Sequence, residues 1–522
     1  MEFRQSHVWE RVKRNADSGY DICVIGGGAS GAGIALDAAL RGYKVLLIEK
    51  GDFASQTSSK STKLIHGGVR YLEQAVKKLD WQQFHMVYKA LHERKAMIAN
   101  APHLAHPLGL LTPCYSFFDK IYYRIGMWLY DRIAGNTNLK SSTSISTSKL
   151  KEIIPTLDTS GMVGGILYYD GQFNDARYAL SLVKAAAREG ADVLNYVAWK
   201  EFVLSPKSLK IKKVVIENCL TNELLEISVK SVINATGPFA DALRKAANPK
   251  LHHRLKVSRG AHIVLHKSFW PSEKALLIPK TDDGRVVFVI PWRDYILVGT
   301  TDEPDQLQEN PQILEEEKHY LLNYFNRYSA KKANIEDISG VFTGQRPLIE
   351  AVISESMPED TKSIVRDHVV EVDSRSKLVS ILGGKWTTYR VMAKDTLDML
   401  ESEVFVILQK KCTTKNYSLY SGIDFDKKLF NELTNQHGLS ELTLKHLEEI
   451  YGPEKGNVLT HCLSEPNGLQ LILANEPYLK GEIGYLKNYE MACSLDDVLD
   501  RRWGIRLRNT KLAEEIKKAV HF

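Results

Sequence analysis

Apolar residues along the chain change period several times, and each change predicts an element. From Asp21 the run DICVI leads into GGGASGAG, then IALDAAL, then KVLLIEK, which predicts a strand, a glycine turn, a helix and a second strand tipped by Glu49. The polar stretch FASQTSSKSTKLIHGGVRYLEQ, from Phe53 to Gln74, shows no alternation and reads as an extended loop entering a helix. Between Trp81 and Ala101, Trp81, Phe84, Val87, Tyr88 and Leu91 recur at helical spacing. Gly161 to Ala187 reads as strand, turn and helix, and SVINATGPFADAL as a strand ending on the turn at Gly237. From Lys256 to Thr301 short runs alternate apolar and polar with turns at DDGR and WRDY, so a separate sheet is expected there. Helix returns over Leu314 to Tyr328. ISGVFTGQRPLIE follows as strand and loop, and KLVSILGGKWTTYRVMAKDTLDML as strand, glycine turn and helix. Beyond Glu403 the patterns are helical, and Ser494 with Asp497 makes a capping box before VLDRRW.

One segment admits two placements. Ser116 to Gly135 concentrates aromatics among Lys120, Arg124, Asp131 and Arg132. Such a helix suits a membrane interface, where Tyr and Trp sit at headgroup depth and basic residues reach lipid phosphates. It also suits a helix packed on its own protein, the commoner use of an apolar stripe.

The glycine turn carries chemistry. Gly26, Gly28 and Gly31 serve the tight turn, the backbone's approach to a pyrophosphate and the contact of helix with strand, while helix amides face the phosphates. Glu49, about twenty residues on, sits where a carboxylate accepts ribose hydroxyls, which disfavours NADP. The pattern implies a dinucleotide and leaves FAD and NAD both open.

Composition narrows the partners. With 522 residues, 44% hydrophobic and 25% charged, the chain is long enough for two or three globular domains. A net charge of +6 suits an anionic small substrate or anionic membrane surface, and the absence of a dense Lys/Arg block argues against nucleic acid. Six scattered cysteines show no CxxC and no metal spacing, so a reduced cytoplasmic setting and no metal are expected. No apolar run approaches the roughly 18 residues of a membrane span, so any membrane contact is peripheral.

The remaining candidates are cations beside glycine turns: His66 and Arg70 with Tyr71, Arg259 and His262, Arg346, Arg366 and His368, and Lys385. Arginine forks grip phosphate or carboxylate in two places, and histidine can take a hydroxyl proton near neutral pH. There is no HExxH and no GxSxG, so redox chemistry on the cofactor is the economical reading.

TSSKSTKLIHGGVRYLE, LYYDGQFNDAR, NATGPF, SRGAHIV, FVIPW, VGTTD, TGQRPL, VRDH and GGKWTTYR follow one another in the order and wording of the FAD-dependent glycerol-3-phosphate dehydrogenases. The chain resembles that family from about Asp21 to Lys394, and DDVLDRRWGIRL is similar to its C-terminal domain. YYDGQFNDAR and GGKWTTYR look closer to the mitochondrial branch. No transit peptide or EF-hand loop is recognised, so a bacterial-type, calcium-independent relative is expected.

The resemblance implies an α/β fold: a discontinuous glutathione-reductase-like, Rossmann-like FAD domain (20–95, 160–245 and 340–400), a mixed-sheet substrate domain (96–159 and 246–339) and a helical C-terminal domain (403–522). It places FAD against Gly26, Gly28, Gly31, Glu49, Ser59, Thr62, Lys63, His66, Gly67, Gly237 and the turn of Gly383, Gly384 and Thr388. Arg70, Tyr71 and Arg366 would bind substrate, with His262, Arg346 and Lys385 catalytic and His262 the base. A pocket of cations that stabilises the alkoxide electrostatically is the alternative. The implied reaction oxidises sn-glycerol 3-phosphate to glycerone phosphate and passes electrons through FAD to a membrane quinone, at the inner face of the cytoplasmic membrane. A homodimer is among the assemblies this allows. An oxidase releasing peroxide and a non-catalytic flavin-binding regulator are the rival readings. Family oxidases resemble longer chains with an extra insertion, and the retained set Arg70, His262, Arg346 and Lys385 argues for turnover.

Overall fold

The DICVI run folds as the strand Tyr20–Ile25, nearly all buried, as a parallel strand covered on both faces must be. In a computed structural model, the described residues are 2–68, 80–350, 368–423 and 425–522. Tyr20–Ile25 pairs in parallel with Val45–Ile48 on one side and Glu223–Asn234 on the other. Asp192–Leu194 and the hairpin His368–Val372/Val379–Gly383 extend the sheet, and Val197–Leu204 with Ile211–Asn218 form an antiparallel flap on Glu223–Asn234. The helix Ala29–Leu40 is buried almost all round, between the sheet and the helices Asp175–Arg188 and Tyr389–Leu400. Gly31 lets it sit that close, since a Cβ there would stand 1.8 Å from the carbonyl oxygen of Gly26.

Among the described residues the second sheet has ten strands, with Leu255–His266 flanked by Tyr295–Gly299 and Ile338–Ile349. Two of its strands come from segments far from Leu255–His266 in the sequence. Gly164–Phe173 pairs with Ala105–Cys114, and Ile338–Ile349 runs along the length of Leu255–His266, so both join this sheet and not the dinucleotide sheet. Alternation announces a strand but does not say which neighbour completes its hydrogen bonds.

The helix Trp81–Asn100 starts where Asp80 accepts the amides of Gln82 and Gln83. Ser116 and Asp119 form a capping box that opens the helix Phe117–Ala134. From Lys427 the chain is helical around its own core of Tyr451, Leu459, Leu486 and Trp503. This helical domain is riveted to the rest by buried ion pairs: Arg177 with Glu490, Lys184 with Glu454 and Glu490, and Asp52 with both Arg501 and Arg502.

Candidate functional site

The glycine turn and Glu49 meet as the motif requires. Gly28 is the N-cap of the Ala29–Leu40 helix and has no side chain of its own to cap that end, so a phosphate can approach the backbone there. The Ser58 hydroxyl accepts the amide of Ala29 at 3.0 Å, which folds the Ser/Thr-rich loop back over the turn. Glu49 accepts the amides of Gly27 (2.7 Å) and Gly51 (3.0 Å), and burial pushes its pKa up. Beneath it, Asp52 takes Asn195 at 2.9 Å and the guanidinium groups of Arg501 and Arg502. Burial alone would raise the Asp52 pKa, but the two arginines overcome it and bring it down to about 2. Asp52, Arg501 and Arg502 carried no functional signal in the sequence. Only the fold brings the chain's end to this turn.

The same loop continues to the second sheet. Ser59 is buried, and its carbonyl, with the Asp175 carboxylate (2.6 Å), takes the ammonium of the buried Lys63. Burial lowers the Lys63 pKa while Asp175 opposes the shift. Thr57 donates to the carbonyl of Gln345 at 2.6 Å, and the Thr62 hydroxyl lies 3.0 Å from His262 Nε2, so the two sheets are joined across this loop.

His262 is the centre of the second half. Its ring is buried, stacked on Phe342 with centroids 4.7 Å apart, and register places the two opposite each other on neighbouring strands. Burial, Arg346 and Lys63 together hold its pKa well below 6.5, so the imidazole is neutral at physiological pH. Its Nδ1 has no hydrogen-bond partner among the described residues. Arg346, opposite Ser258, donates to Thr300 Oγ1 (2.8 Å), Asp302 (3.1 Å) and the Thr301 carbonyl (3.2 Å), and its side chain keeps 28% exposure. Arg259 is instead occupied by Asp305 and Glu317, as a structural ion pair.

The third strand-turn-helix unit closes the site. Gly383 and Gly384 both take positive φ, and Thr388 caps the turn by donating to the Lys385 carbonyl at 3.2 Å. Lys385 Nζ approaches Met86 Sδ at 3.5 Å, so this turn reaches the Trp81–Asn100 helix. Trp386 donates to the Ser58 carbonyl at 2.8 Å, tying the turn to the glycine grip, and Gly237 also turns with positive φ. His66 and Gly67 follow the short strand Leu64–Ile65. Arg70, Tyr71 and Arg366 lie outside the described residues.

A helix terminus whose N-cap carries no side chain, a glycine-lined approach and a half-buried carboxylate at the second strand's tip fit the pyrophosphate and ribose of FAD. The FAD dependent oxidoreductase family model matches residues 21–390, and that of the C-terminal domain of alpha-glycerophosphate oxidase matches residues 412–521. The mitochondrial glycerol-3-phosphate dehydrogenase of Mesocricetus auratus is 40% identical, over 95% of this chain and 69% of its own length. Its counterpart from Homo sapiens is 39% identical over the same shares. The crystal structure of the glycerol-3-phosphate dehydrogenase of Bacillus halodurans complexed with FAD has a TM-score of 0.76 at 29% identity, covering 98% of this chain and 91% of that one. With the grip, the His262 cluster and the C-terminal domain all accounted for, the chain belongs to the FAD-dependent glycerol-3-phosphate dehydrogenases.

Proposed function

We propose that the enzyme oxidises sn-glycerol 3-phosphate at C2 to glycerone phosphate and delivers the two electrons to a membrane quinone. The observation that carries the reaction is a neutral, buried histidine beside an arginine, on strands joined to the cofactor loop through Thr62. Bound FAD supplies the acceptor for the C2 hydride. Gly26, Gly28, Gly31 and Glu49 hold its dinucleotide part, with Ser59, Thr62, Lys63, His66, Gly67, Gly237, Gly383, Gly384 and Thr388 lining its length.

His262 takes the C2 hydroxyl proton. A depressed pKa leaves its nitrogen lone pair available throughout the working pH range, and the same cations that depress it lower the cost of an oxyanion at C2. Arg346 and Lys385 hold the substrate phosphate, with Arg70, Tyr71 and Arg366 completing the pocket. Asp302 and Thr300 fix the Arg346 fork, so its orientation is set before substrate arrives.

The quinone acceptor draws support from the Phe117–Ala134 helix. No described helix is long and apolar enough to cross a membrane. Yet Phe118 is 87% exposed and Ile121, Ile125 and Trp128 are each more than half exposed, on one outward stripe. Arg124 and Arg132 are exposed beside them and border, with Trp128 and Ser142, a cavity of about 420 Å³. Apolar side chains flanked by guanidinium groups suit an anionic bilayer and support a peripheral attachment to it.

Anaerobic glycerol 3-phosphate should bleach the bound flavin, and a soluble quinone analogue should restore its colour much faster than air does. No bleaching sinks the activity; rapid peroxide release in air converts the enzyme to an oxidase. Phe118→Ser with Ile125→Ser should abolish sedimentation with anionic vesicles, and undiminished binding would move the membrane surface elsewhere.

A further inference from the structure

The Phe117–Ala134 helix has an inner face as well, and one residue on it reaches the cofactor loop. Tyr130 is only 1% exposed, although it shares the helix with the outward aromatic stripe. The Gly67 amide donates to its hydroxyl oxygen at 2.9 Å. The hydroxyl proton goes to Asp170, whose oxygens lie at 2.9 and 3.1 Å. Asp170 is itself held by Arg94 at 2.5 Å, and Arg94 also donates to the carbonyls of Tyr169 and Thr137. An amide can only donate and a carboxylate paired to arginine accepts, so the hydroxyl has one orientation.

The relay stands where the strand ladder stops. Leu64 and Ile65 pair with Gln172 and Gly171, and that pairing does not continue to His66. At Gly67 the Tyr130 hydroxyl stands in for the strand carbonyl that would have come next. The loop is also pressed against it, since a Cβ on Gly67 would lie 2.6 Å from the Tyr130 oxygen and 2.7 Å from Leu91 Cδ2. The direction in which the chain leaves the sheet after Ile65 is therefore set by a side chain and not by the ladder.

We propose that Tyr130, oriented by the Arg94–Asp170 pair, is a positioning residue that sets the His66–Gly68 loop against the flavin. The proposal rests on the reading of His66 and Gly67 as part of the FAD site. It joins the helix with the outward aromatic stripe to the loop beside the reacting centre through one hydroxyl.

Tyr130→Phe in the full-length holoenzyme keeps the ring and removes only the oxygen. FAD should remain bound, the visible circular dichroism of the flavin should change, and amide exchange in the peptide containing Gly67 should accelerate. In anaerobic single turnover with glycerol 3-phosphate the limiting rate of flavin reduction should fall about tenfold to a hundredfold, as a displaced site loop implies, with substrate affinity nearly unchanged. Tyr168→Phe is the control, because Tyr168 is equally buried and packs edge-on against Tyr130. It should leave spectrum and rate alone. Wild-type spectrum and rate in Tyr130→Phe, or the same losses in Tyr168→Phe, overturn the proposal. If Tyr130→Phe does not fold, slow exchange of the Gly67 peptide in the unaltered holoenzyme supports the contact and fast exchange removes it. Absence of bleaching in the unaltered enzyme would sink the proposed activity, while the dichroism and exchange still decide the role of Tyr130.

Discussion

The turn beneath Glu49 and the cluster around His262 are both buried and both charged, yet they are finished differently. Around Asp52 the charges are matched, Arg501 and Arg502 answering Asp52 and Asp497, although Arg502 Nε has no hydrogen-bond partner among the described residues. Around His262, an imidazole nitrogen is buried without a partner among the described residues, and two nearby cations oppose its protonation. A buried charge that is fully paired holds structure together. A buried polar atom left unpaired is a cost, and His262 Nδ1 is one that lies near two cations beside the cofactor loop.

That contrast breaks most visibly at its first member. Arg502→Met should lower stability by about 3–5 kcal/mol, because it leaves buried Asp52 short of a partner and strips the Glu490 carbonyl of its donor. Denaturant midpoints check this, and a variant as stable as the parent would show the clamp to be dispensable. His262→Gln should do the reverse, slowing flavin reduction by about 10²- to 10⁴-fold while the melting temperature barely moves. Stability lost in proportion to activity would dissolve the distinction. Arg346→Ala and Lys385→Ala should retain FAD and lose reduction by substrate at low concentration; normal reduction in either variant removes that residue from the pocket.

The smallest effect is a dependence on pH, and its sign follows from the shifts. Asp52 and Glu490 titrate near 2 in the folded enzyme, Glu490 because Arg177 and Lys184 overcome its burial. Their stabilisation is therefore complete above the ordinary carboxylate range and drains away as pH falls from about 4.5 through 2. His262 is depressed in the folded state, so the unfolded chain binds the extra proton and acidification below about 6.5 also favours unfolding. Urea midpoints should thus decline gently from pH 7 to 5 and steeply below 4.5. A flat profile to pH 3 would mean that the Asp52 and Glu490 pairs contribute little.

Much of this was legible in the sequence, for local reasons. The grip from Asp21 to Glu49 is contiguous, and its strand, turn, helix and strand fall where their periods put them. The alternating runs from Lys256 onward did become a separate sheet. Long-range pairing was the part hidden from pattern. Nothing local tells Gly164–Phe173 or Ile338–Ile349 which sheet to join, and the DRR of VLDRRW gives no hint that it ends on Asp52. Tyr130 was legible as one more aromatic in a stripe. Its inward turn, against the outward Phe118 and Ile125, depends on Asp170 waiting some forty residues away.

The first sheet also has a chronology. Its strands come from residues 20–25, 45–48, 192–194, 197–204, 211–218, 223–234, 368–372 and 379–383, and the arginines that clamp its loop from 501 and 502. A chain emerging from a ribosome presents the glycine grip long before the hairpin His368–Val372/Val379–Gly383 that completes the sheet. For all that interval the grip must wait with its apolar strand edges uncovered, which is when chains of this size are most prone to misassociate. The glycine grip is accordingly finished only after Arg501 and Arg502 have been translated, since they clamp Asp52 beside its turn.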